Sequence, residues 1–217
     1  MGQTPWMRHN PVFALTDVAE IARLVRENPW ATLVSAGPEG LVASHYPVLL
    51  DEERDDLSLL THVGRPDEVV HGLGERELLV IVQGPHGYVS SGWYGEDPAV
   101  PTWNFVTAHL SGVPEVLPPQ ENLAVLERLV AHFEGRRDAP RLMRGTAADA
   151  AYAERIAAGT VGVRLTPTRV VAKRKMSQNK PPEVVGAIRA HLAGDGPFAD
   201  PALAREMALV HDARPTS

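Results

Sequence analysis

The chain has 217 residues, 44% of them hydrophobic, enough to bury a core in one compact domain with additions. It contains no cysteine, which excludes disulfides, thiolate metal sites and cysteine nucleophiles together and leads us to expect a reducing, cytoplasmic setting. A formal charge of −6 excludes a surface that binds nucleic acid over its whole extent, because neutralising phosphates takes a basic face.

No run approaches the roughly 18 apolar residues of a membrane helix, and Met1–Pro11 lacks the charged-then-apolar profile of a signal peptide. Met7 is a plausible alternative start, so residues 1–10 read as an N-terminal extension. Between Thr16 and Glu27, the spacing of Val18, Ile21, Ala22 and Val25 predicts a short amphipathic helix with Thr16 able to cap it. Ala31–Ala36 and Leu41–Leu50 read as a strand pair about a Gly37–Gly40 turn, and the acidic run Asp51–Asp56 makes a second turn. Further strands are expected at Leu57–Val63, Glu77–Gln83, Tyr88–Val89 and Val106–Val116. Short β-rich runs with close-set turns favour an antiparallel barrel over an alternating βαβ sheet.

Two helices, Asn122–Phe133 and Ala147–Ala158, then interrupt the sheet, which resumes as a strand over Thr160–Ala172. Pro181-Pro182 opens a later helix carrying Val184, Val185 and Ile188. A loop over 195–201 leads to a short last helix, and the tail after Asp212 is expected to be loose.

Three constellations could carry chemistry. Thr61-His62-Val63-Gly64-Arg65 ends a strand with a hydroxyl, an imidazole, a close-approach glycine and a guanidinium, a set suited to phosphate. The same residues would serve a plain strand-to-helix turn in which Arg65 pairs with Asp67 or Glu68. Gln83–Gly95 and Val100–Phe105 crowd two tryptophans, two tyrosines and a phenylalanine among Gly, Ser and Asn, giving walls and edge hydrogen bonds for a planar ligand, or else core packing. Trp103 and Asn104, after a rigid Pro-Thr, are the leading candidates there. Finally, all three lysines of the chain, Lys173, Lys175 and Lys180, fall within eight residues beside Arg169 and Arg174, with Ser177, Gln178 and Asn179 interleaved. Such a patch suits an anion.

Dinucleotide-fold, P-loop, zincin and covalent-haem motifs are missing, and the candidate helices lack a basic recognition face. His45, His62 and His86 could converge, but no metal site is expected from them.

Taken together, THVGRPD at 61–67, QGPHGYVSSGWY at 83–94, VPTWNF at 100–105 and KRKMSQNK at 173–180 resemble the PaiB family of FMN-binding split-barrel proteins, often labelled negative transcriptional regulators. Order and spacing match from about Arg8 to about Ala193. The resemblance implies a mainly β fold with added helices, a split β-barrel that forms a homodimer with FMN near the subunit interface. Residues 11–175 would form the barrel, with a helical insertion over about 119–158, and 176–217 a helical segment packed on it. Thr61, His62 and Arg65 would lie near the phosphate, and Trp103, Asn104, Lys175, Ser177 and Gln178 would line the pocket. The resemblance extends to flavin-dependent oxidoreductase activity but assigns no catalytic residue, and with this charge direct DNA contact is not expected.

One departure stands out: many relatives carry Ala-Asn-Pro after the basic residue, whereas this chain has Pro66-Asp67-Glu68 and two negative charges there. The related piperazate synthases supply the alternative, an N–N bond-forming enzyme with haem b, for which His62 is the nominated iron ligand.

Overall fold

The computed structural model describes residues 7, 10–95 and 97–212. Apart from Met7 and Asn10, the extension expected over 1–10 lies outside the described residues, as does the tail after Asp212. The elements run β1 (Ala14–Leu15), α1 (Val18–Glu27), β2 (Trp30–Gly37), β3 (Gly40–Pro47), β4 (Leu49–Leu50), β5 (Leu59–Gly64), α2 (Arg65–His71) and β6 (Leu78–Val89). They continue with β7 (Thr102–Gly112), β8 (Glu115–Val116), α3 (Pro119–Glu134), α4 (Ala147–Ala157), β9 (Thr160–Leu165), β10 (Arg169–Lys175), α5 (Pro182–Ala193) and α6 (Pro201–Asp212). Among the described residues no helix is long and apolar enough to cross a membrane.

The chain divides into two compact units: Met1–Asp17, Gln83–Ala108 and Val171–Ser217 form the first, and Val18–Val82 with His109–Val170 the second. In the first, strands follow the order β1-β10-β7-β6. Helices α5 and α6 bury Val184, Val185, Ile188 and Leu192 on one and Leu203 and Met207 on the other, at the three- and four-residue spacing of an apolar helix face.

In the second unit β2 pairs antiparallel with β3 along its whole length, from Trp30 opposite Pro47 to Gly37 opposite Gly40. Gly40 closes that turn at φ +123, a conformation that suits only glycine. A four-stranded sheet, ordered β4-β5-β9-β8, carries α3 through a core of Leu60, Leu117, Val125 and Leu129, with Leu49 against it. Gly162, opposite His62 in the β5–β9 register, lets α3 come close, because a Cβ there would stand 2.8 Å from Asn122 Cα.

Several elements differ from the expectation: the strands expected over Leu41–Leu50 and Val106–Val116 each divide between the two sheets, as β3 with β4 and β7 with β8, and three further differences have a local reason. The two strands expected at Glu77–Gln83 and Tyr88–Val89 are one twelve-residue strand, β6. β2 pairs with Leu78–Val82, so Pro85 falls past that ladder and removes no bond on that side. The single strand expected over Thr160–Ala172 is two, since Pro167 interrupts it and β9 and β10 join different sheets. The strand expected from Val106 starts at Thr102, which moves Trp103 and Asn104 from a loop onto β7.

Candidate functional site

Placing Trp103 and Asn104 on a strand separates them, because successive side chains of a strand point to opposite faces. Trp103 is 55% exposed and Asn104 is fully buried. In β10 the same alternation sets Lys173 and Lys175 on one face and buries Ala172 and Arg174 on the other. The Lys173 ammonium lies 5.6 Å from the Phe105 ring centre and 6.0 Å from that of Phe13, and the Tyr88 ring meets Trp103 edge-on at 6.2 Å.

Lys175 Nζ donates a hydrogen bond to Thr102 Oγ1. Burial, with Lys173 as a second cause, holds its ammonium below the ordinary lysine pKa of 10.5. This face therefore offers two crowded ammonium groups, one of them partly desolvated, beside flat apolar walls. That is the chemistry of a site for an anionic, planar molecule. Sequence reasoning put Lys173 in the basic patch and Phe105 in the aromatic stretch but named neither of them, nor Thr102, as pocket residues, although the i, i+2 spacing of Lys173 and Lys175 on a strand would have added the first.

Asn104 and Ser177 sit behind that face. Asn104 Nδ2 donates to Ser177 Oγ at 3.0 Å and approaches Met207 Sδ at 3.5 Å, while Ser177 Oγ stands 3.1 Å from Asn104 Oδ1. Ser177 adopts φ +60, a left-handed conformation unusual for serine, and this buried pairing anchors it. Gln178 Oε1 accepts from Met176 N, and its Nε2 donates to the Arg174 carbonyl, both at 2.6 Å. Asn104 and Ser177, expected to line a pocket, are buried and bonded to each other, and Gln178 braces the same turn.

The Thr61–Arg65 run lies in the second unit. Thr61 is buried and donates to the Pro47 carbonyl at 2.7 Å. Arg65 Nε donates to the Ala158 carbonyl at 3.1 Å and Nη1 to Glu68 at 3.1 Å, so this guanidinium already has an anion at the Pro66-Asp67-Glu68 departure. His62 packs edge-on against Tyr46, with ring centres 5.8 Å apart, and lines a cavity of about 490 Å³. Its Nδ1 is buried without a hydrogen-bond partner, and burial depresses its pKa, so the ring is neutral near pH 7.

Comparison with known proteins agrees with this architecture. Residues 7–169 match the family described as "Putative FMN-binding domain". "Protease synthase and sporulation protein PAI 2" of Bacillus subtilis is 31% identical over 170 residues, covering 77% of this chain and 80% of that protein. Among solved structures, the FAD and haem binding protein of Mycobacterium smegmatis superimposes with a TM-score of 0.58 at 19% identity, over 80% of this chain and 79% of that one. The flavocytochrome Anf3 of Azotobacter vinelandii gives 0.53 at 14% identity, over 75% and 69%. The fold is thus mainly antiparallel β with added helices, of the split-barrel type. The chain belongs to the PaiB-like family of FMN-binding split-barrel proteins.

Proposed function

We propose that this protein binds FMN and uses it as a redox group, as a PaiB-type flavin-dependent oxidoreductase. The observation that carries the reading is the half-exposed face on which Lys173 and Lys175 stand beside Trp103, Phe105 and Tyr88. Bound FMN supplies one- and two-electron transfer. In this reading Lys175 and Lys173 hold the phosphate charge and Trp103 provides an apolar wall. Asn104, Ser177 and Gln178 keep the β10 turn in place. The acidic surface argues against direct DNA contact, so a regulatory role would pass through the flavin rather than through a reader helix.

A cytoplasmic homodimer belongs to the same proposal. It is supported by the absence of cysteine and by the β2–β3 hairpin, where Trp30 and Leu41 are 65% and 82% exposed. The haem alternative is less well served. A ligating histidine normally gives its second nitrogen to a carbonyl or carboxylate, and His62 Nδ1 has no such partner.

Absorbance spectroscopy of protein purified from cells supplied with riboflavin and a haem precursor, followed by FMN titration of any flavin-free fraction, tests the proposal. Flavin bands near ~450 nm and one FMN per chain support it. A Soret band that disappears in His62→Ala refutes it.

A further inference from the structure

The cavity at His62 lies between β5, α3 and α4 of the second unit and contains none of the Lys173, Lys175, Trp103, Phe105 and Tyr88 face that the proposed function gives to FMN. Leu129, Val130, Met143, Tyr152 and Ile156 wall it. Its two charged lining residues, Arg141 and Asp149, pair with each other at 3.5 Å. Large apolar side chains are left uncovered at its rim: Leu142, Tyr152 and Ile156 are 47%, 56% and 48% exposed. The Thr160 hydroxyl, also in the lining, donates to the Ala157 carbonyl at 3.0 Å and accepts from Asn122 Nδ2 at 3.2 Å, which leaves the His62 ring as the less committed polar group there.

We propose that this cavity binds an uncharged, largely apolar small molecule bearing one carbonyl-type acceptor, and that His62 donates to that acceptor. A charged ligand would find no free counter-ion, because Arg141 and Asp149 already neutralise one another. A wholly hydrocarbon ligand would strip water from the imidazole and return no hydrogen bond. Nδ1 is enclosed by protein with no acceptor in reach, and an orphaned buried N–H is rarer than an under-satisfied lone pair. The ring proton is therefore assigned to Nε2, on the edge left to meet a ligand. The apolar walls supply the affinity and the single donor sets the orientation. His62, which the family resemblance sets beside an FMN phosphate, is thus better suited to a neutral acceptor, since a neutral imidazole in an apolar pocket offers a phosphate no charge.

The probe is 4′-fluoroacetophenone, followed by fluorine NMR on the full chain, with 4-fluoroethylbenzene as the comparator lacking the carbonyl. FMN titration and thermal unfolding run alongside to report folding and the other proposed site. The ketone is expected to bind roughly five- to tenfold more tightly than the hydrocarbon, the equivalent of one neutral hydrogen bond. His62→Phe should erase that preference, and Ala153→Phe, which fills the cavity from α4, should abolish binding of both. Should Ala153→Phe fail to fold, Met143→Trp fills the space from the loop side. FMN affinity is expected to be unchanged in the folded Ala153→Phe and Met143→Trp variants, so failure here is distinguishable from failure of the flavin reading. Equal binding of the two probes, or binding that survives both filled variants, overturns the proposal. So does an absence of binding, including the case in which Tyr152→Glu splits a dimer and shows that a second copy covers the cavity.

Discussion

Replacing Lys175 by methionine separates affinity from stability with opposite signs. The side chain keeps its length and apolar stem but loses the charge, and with it a charge-assisted hydrogen bond to the proposed phosphate worth about 1.5–3 kcal/mol. FMN affinity should fall roughly ten- to hundredfold at low salt. The flavin-free protein should melt no lower than the parent. Its ammonium is disfavoured by burial and by Lys173, and the half-exposed Thr102 hydroxyl can turn to water once its partner is gone. A depressed lysine pKa also means that the unfolded chain holds more protons between the lowered value and 10.5, so this group's contribution to stability rises with pH across that window. FMN affinity should move the other way, weakening as pH climbs through the lowered value, and Lys175→Met should flatten that dependence. Flavin fluorescence titration at several pH values, with thermal unfolding of the flavin-free form, measures both. Parental affinity in the variant, or a clear drop in its melting temperature, would refute the assignment.

Asn104→Ala should destabilise the fold by about 1–3 kcal/mol, because it leaves the buried Ser177 hydroxyl without its partner. Flavin affinity of the folded fraction should stay near parental, and a selective affinity loss at unchanged urea midpoint would return Asn104 to the pocket wall. Gly162→Ala should cost roughly 1–3 kcal/mol by pushing α3 off the sheet, since the new methyl would meet Asn122 Cα. An unaltered denaturation midpoint would show that α3 yields. Arg65→Gln should lower FMN affinity less than Lys175→Met does, because Glu68 already occupies the guanidinium; titration showing the reverse order moves the phosphate to Arg65. Burial depresses the pKa of His62, His71 and His109, so the unfolded chain takes up protons first and stability should fall as pH drops below 6.5 toward their folded values. Urea midpoints at pH 7.5 and pH 5 check this, with His62→Phe expected to shrink the difference and a flat profile counting against it.

Much of the fold was legible in residue order. The helix of Val18–Glu27 follows from apolar spacing, the β2–β3 hairpin from a Gly-Pro-Glu-Gly turn, and α3 and α4 from their composition. The basic patch was legible too, since three lysines within eight residues of an acidic chain need no tertiary information to stand out. Strand breaks were harder. Pro85 reads as a terminator until it is known which part of β6 has a neighbour, and pairing is a property of the partner strand rather than of the local segment.

By itself the sequence determined the family, the antiparallel β character with added helices, and the location of the cationic and aromatic side chains along the chain. Tertiary structure alone decided which of them share a surface. Trp103 and Asn104 are neighbours in sequence but lie on opposite faces of β7, while Lys173 and Phe105, far apart in the chain, meet at 5.6 Å. Thr61 and Arg65 carry suitable groups, yet Pro47, Ala158 and Glu68 claim them once the chain has folded. The cavity at His62 has no sequence signature, because it is made by helices that enter the chain more than fifty residues after β5. The physical reason is common to all of these. A strand's two-residue period is local, but the register, the partner strand and the covering helix that decide what each face meets are set by contacts distant in sequence.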